Sequence, residues 1–141
     1  MGHVIHVWEG PLPSDRDEAV RDFYDLARQH LLNDGTLPTR AVRAFVADVL
    51  EIWPEPVGDR GVGLRASSPF VWPASTSASG PVWRCQVKDT RAATATHVIA
   101  AIAERHGLNW NDPQPAARRI DLRPVWEAAE APLYADVALT V

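Results

Sequence analysis

The sequence predicts an α+β domain: a two-layer sandwich that is a variant of the ferredoxin-like arrangement, with elements in the order β-α-α-β-β-α-β. Two observations carry this. Three stretches with helical apolar periodicity alternate with short runs rich in β-branched and aromatic residues, and Gly, Pro, Asn or Asp punctuates nearly every junction. Helices packed over a mainly antiparallel sheet bury both kinds of apolar face. A chain of 141 residues suits one domain with a core of its own. Residues 1–141 are accordingly read as one domain, with 124–141 as a C-terminal extension.

The first element, "HVIHVW", is a short strand ended by Gly10-Pro11. Ser14 is the expected N-cap of the first helix, and Asp15, Asp17 and Glu18 place negative charge in its first turn, where the helix dipole favours it. Val20, Phe23, Ala27 and Leu31 keep the helical period to about Leu32, where "NDG" stops it. Thr39 caps a second helix, with Val42, Phe45, Val46, Val49, Leu50 and Trp53 as its apolar stripe and Pro54 as its stop. "PEPVGDRGVGLRASSP" reads as a long surface loop. "FVWPASTS" and "PVWRCQVK" read as a β-hairpin turning at Ala78-Ser79-Gly80. Thr90 is expected to open a third helix with Ala95, Val98, Ile99, Ile102 and His106 on one face and Gly107 just past its end. "LNW" follows as a strand and "NDPQP" as a turn. "RRIDLRP" reads as a last short strand, "VWEAAEA" as a short helix, and "PLYADVALTV" as a docking or pairing tail.

Composition narrows the function classes. Hydrophobic residues make up 46% and charged residues 23%, values of a folded rather than a disordered chain. The net charge of −4 leaves no basic footprint, which argues against nucleic acid as the main partner. No apolar run reaches membrane-spanning length and the first ten residues lack a secretory pattern, so a cytoplasmic location away from any membrane is expected. Six tryptophans are many for this length, so several are expected in the core or at a binding surface. Cys85 cannot form an internal disulfide, being the sole cysteine, and is expected in the core.

The chemistry-bearing residues form no recognised catalytic or metal motif. His3 and His6 lie three apart on a strand and point to opposite faces, so they cannot share a metal, and neither metal nor cofactor is expected. His97 and Glu104 fall on the polar side of the third helix. "GDRGVG" neither follows a strand nor opens a helix, which makes a phosphate cradle a poor reading. Asp15, Glu18, Asp22 and Asp25 recur at helical spacing as an acidic stripe opposite the apolar one. Such a stripe is either a solvated face or a docking surface that speeds association with a basic partner. Trp8, Glu9, Trp72 and Trp110 lie at strand ends or near turns, where any exposed tryptophan is a candidate hot spot. The partner-binding set read from the sequence is therefore Trp8, Glu9, Asp15, Glu18, Asp22, Asp25, Trp110 and Asp112.

Three segments in order, "VWEGPLPSDRDEA", "LPTRAVRAFVADVLEIWP" and "AERHGLNWNDPQ" with a following "LRP", resemble a family of small bacterial proteins carrying VWEGP-like, PPTP-like and HGLxxxDPQ-like segments. The likeness spans most of residues 4–124. It departs at "LPTR", where a second proline is usual, and in the tail after Pro124. These proteins are similar in character to immunity proteins of bacterial polymorphic toxin systems. The resemblance implies a non-enzymatic inhibitor that covers the active cleft, often a basic one, of a toxin. Two alternatives stay open at this level: an enzyme assembled from His106, Asp112, Arg118 and Asp121, and a structural or adaptor subunit.

Overall fold

The computed structural model describes residues 2–31, 36–55, 68–120 and 122–128. Four strands form one antiparallel sheet: β1 (Gly2–Trp8), β2 (Ala78–Ser79), β3 (Val82–Lys88) and β4 (Asn109–Asn111), in the spatial order β2-β3-β1-β4. Helices α1 (Arg16–His30) and α2 (Arg40–Ile52) lie between β1 and β2, α3 (Ala92–Arg105) joins β3 to β4, and a short α4 (Val125–Ala128) follows. β1 is central. It pairs with β3 along its whole length, from Gly2↔Lys88 to Trp8↔Val82, and with β4 from His6↔Asn111 to Trp8↔Asn109. Each helical crossover therefore skips one strand, and the chain follows the expected β-α-α-β-β-α-β order in a mixed α+β fold.

Strand alternation decides what each face buries. Ile5 and Val7 of β1, with Trp83, Cys85 and Val87 of β3, meet Val42, Phe45 and Val49 of α2 and Ala95, Ile99 and Ile102 of α3. This is the main sheet-on-helix core. The alternate residues Trp8 and Val82 point the other way and meet Ala19, Phe23 and Ala27 of α1, together with Trp126 of α4. α1 thus covers the reverse face at the Trp8 end of β1. The cause lies in "HVIHVW" itself, whose two alternating residue sets both carry apolar or aromatic side chains, so a strand with that pattern needs cover on both faces.

Local chemistry shifts several boundaries from those expected. Asp15, not Ser14, is the N-cap of α1: its side chain accepts from the Glu18 N–H, while the Ser14 hydroxyl donates to the Glu18 carboxylate at 2.7 Å. "FVWPASTS" does not form a full strand. Thr76 and Ser77 donate their hydroxyls to the Pro73 carbonyl and fold Ser75–Ser77 into a 3-10 turn, leaving Ala78–Ser79 as the strand and Phe70 in an isolated bridge to Val87. Thr90 lies in a 3-10 turn, Asp89–Arg91, that precedes α3. The "RRIDLRP" strand is absent among the described residues: Ala116–Arg118 is a 3-10 turn, and Asp121 lies outside them. The "NDG" stop, residues 56–67 of the long loop and the tail from 129 also lie outside the described residues. Two turns depend on left-handed backbone, Gly80 (φ 53°) in the β2–β3 hairpin and Gly107 (φ 70°) after α3.

Candidate partner-binding surface

α1 presents its burying face through Ala19, Phe23 and Ala27, so the carboxylates between them are turned outward or to the flank. Asp15 and Asp25 are exposed, and Glu18 and Asp22 half-buried. Arg28 donates to Asp25 within the same exposed face. Among the described residues no cation pairs with Asp22 in this way: its carboxyl pKa is raised, first by partial burial, then by the negative charges of Glu18 and Asp25, with Arg21 opposing them only in part. Tyr24, 50% exposed, stands on this helix with its ring edge-on to Phe23 and His6. Glu9, also exposed, leaves the sheet nearby, its N–H held by the Pro81 carbonyl. The acidic residues read from the sequence therefore share one side of the helix, whereas Tyr24, an aromatic residue outside the sequence-derived set, lies about 160° round the helix from Asp22. Its signal was its place, one residue after the buried Phe23 on an amphipathic helix.

The tryptophans behave otherwise. Trp8 and Trp110 are each 1% exposed, so the exposure that would make them anchors for a partner is not met. Trp8 packs edge-on against Phe23 under α1, and Trp110 lies in the main core with its indole N–H donated to Glu104 and its carbonyl taken by the Trp126 indole. Asp112 is buried as well, at 4% exposure. Its carboxylate meets the His3 imidazole at 2.9 Å and accepts from the backbone N–H groups of Gln114 and Ile120, while Arg16 donates to its carbonyl. It fastens the turn after β4 to β1 and to the start of α1, and these three residues leave the partner-facing set.

The enzyme alternative meets the same geometry. His106 does not bond Asp112; its imidazole is 2.6 Å from Asp48 of α2, while Asp112 engages His3. Arg118 is exposed, and Asp121 lies outside the described residues. No group of three or more His, Cys, Asp or Glu side chains among the described residues is placed to hold a metal ion.

His3 and His6 do point to opposite faces, and each is buried for its own reason. His6 stacks on Phe23 with ring centroids 3.8 Å apart. Burial, and secondarily the Arg84 guanidinium, lower its pKa to about 3, so the ring is neutral. Cys85 is buried at the sheet centre, where desolvation pushes its thiol pKa well up. No helix among the described residues is long and apolar enough to cross a membrane. Comparisons with protein-family models, curated proteins and solved structures found no match to the chain.

Proposed function

We propose that this chain is an immunity-type inhibitor: a protein that binds a cognate bacterial toxin domain and covers a basic active cleft with the outer face of α1. The observation that carries the reading is the run of Glu18, Asp22 and Asp25 along one side of α1; partial burial first, and then the charges of Glu18 and Asp25, hold the Asp22 carboxyl above its ordinary pKa in the free protein. Carboxylates that repel one another are relieved by a cationic surface, so the same crowding that opposes ionisation in the free chain favours a lysine- or arginine-lined partner. Glu9 and Asp15 extend the negative field past the helix start.

The test is binding and protection with the protein encoded beside this chain. Purified neighbour product should form a stable complex, and cells carrying its gene should survive only with this chain co-expressed. Association should release protons and weaken as pH falls through the titration of Asp22, because the bound state favours the ionised carboxylate. A neighbour product that neither binds nor harms cells overturns the reading.

A further inference from the structure

α1 sits on the reverse face of the sheet through a polar patch as well as through its apolar stripe. His6 of β1 and Asn111 of β4 are paired directly across the ladder, so both side chains leave the sheet on one face, the face that α1 covers. Each residue is 1% exposed. Four buried side-chain polar atoms among the described residues make no hydrogen bond, and three of them belong to this pair: His6 Nδ1, Asn111 Nδ2 and Asn111 Oδ1. Asn109, on the same face of β4, has the partners that Asn111 lacks, its amide donating to the Gly10 and Pro11 carbonyls at 3.2 and 3.0 Å. Aromatic rings of α1 close over the histidine. Phe23 lies flat on the imidazole at 3.8 Å, 5° from parallel, and Tyr24 stands edge-on at 5.5 Å. A partner for Nδ1 therefore has to lie in the imidazole plane, beside the stacked rings rather than between them.

Buried donors and acceptors are nearly always paired in folded proteins, so two adjacent side chains orphaned together point to one shared guest. The three atoms select its chemistry. One end of the Asn111 amide only donates and the other only accepts, and turning the amide by half a rotation leaves the same demand. A cation would suit Oδ1 but face the amide N–H groups, and an anion would suit the N–H groups but face Oδ1. His6 is neutral, so its Nδ1 donates or accepts according to tautomer. The guest must therefore do both. We propose that His6 and Asn111 together hold one internal water molecule as a fixed part of the seat of α1. The water closes a ring with the carboxamide, accepting from its N–H while donating to its carbonyl, and keeps a third bond for His6 Nδ1. Three bonds is the usual complement of a buried water. It joins β1 to β4 at the last pair of their ladder, and it is independent of the outer face of α1 and of the inhibitor reading.

Water itself is the probe, in the full chain. A crystal structure at a resolution that shows ordered solvent should place one water within hydrogen-bond distance of both His6 Nδ1 and the Asn111 amide. A direct bond between the two side chains, a separate water on each, or an ion in the site would overturn the assignment. In solution, the Asn111 side-chain amide protons should show Overhauser contacts to water with the sign of a molecule that tumbles with the protein. The Asn109 amide protons, held by two carbonyls, should show none; equal behaviour of the two asparagines counts against the site. A mutant cycle gives an independent reading. His6→Phe and Asn111→Leu each strand the other partner of the water, so the double variant should shift the urea midpoint by less than the sum of the single shifts. Additive shifts would mean that the two side chains are served separately. The first two measurements use the wild-type chain, so they stand even where a variant folds poorly.

Discussion

His6 shows what a single side chain can impose on the pH response of the whole fold. Unfolded, its imidazole takes a proton near pH 6.5; folded, stacked on Phe23, it stays neutral until about pH 3. Below pH 6.5 the unfolded state therefore binds a proton that the native state refuses. The stability contributed by the neutral ring is complete above pH 6.5 and is lost as pH falls toward 3, by up to about 1.4 kcal/mol per unit. Carboxylates titrate in the same range, so the measurement is a difference: urea midpoints of the wild type and His6→Leu from pH 7.5 to 4, with the variant expected to show the shallower decline. Asp112 gives a second residue-scale expectation. Replacing it with Ala removes the acceptor for His3 and two backbone N–H groups at a buried place, and should cost about 2–4 kcal/mol in denaturant unfolding. Neither role was legible in the sequence, which gives His6 and Asp112 the same letters as surface residues. Trp8 failed for a related reason: with apolar residues on both faces of β1, the alternation cannot say which side is covered, or by what.

At the scale of elements, more could be read in advance. The apolar stripes of α1, α2 and α3 carry their own period, so Phe23, Ala27, Val42, Phe45, Val49, Ile99 and Ile102 were placed in the core from spacing alone, and all are buried. Thr39 was recognised as a cap because its hydroxyl accepts from Val42 N–H at a fixed spacing. The first strand of the hairpin was misread because Ser and Thr side chains compete locally for the backbone, an effect that strand propensity does not contain. The two left-handed glycines differ in a way that stability can report. A Cβ on Gly107 meets nothing within 4 Å, so Gly107→Ala should cost only the backbone strain, about 1–2 kcal/mol. A Cβ on Gly80 would stand 2.6 Å from the His30 ring, so Gly80→Ala should cost clearly more and disturb the contact between α1 and the hairpin. Thermal melts of the two variants, side by side, test the ordering.

For the whole molecule, the distribution of charge is the feature with external consequences. Asp22→Arg combined with Asp25→Arg should leave the melting temperature nearly unchanged, since both lie toward the outer side of α1, where charge pairs are solvated and contribute little. Any stability loss should be limited to that of the exposed Asp25–Arg28 pair, while association with a basic partner should slow, and the slowing should shrink as salt is added. A large stability loss in that double variant would mean that the carboxylates serve the fold rather than the surface. The placement of β1 carries a different kind of consequence, one of timing. The central strand is made early, yet its first partner, β3, begins at Val82 and its second, β4, at Asn109. At ordinary rates of synthesis the ribosome needs on the order of ten seconds to supply them. Through that interval "HVIHVW", apolar on both faces, has no ladder to join, and β1–β3 pairing must then close a very long loop. Refolding in dilute solution should therefore be slow beside that of a helical bundle of the same length.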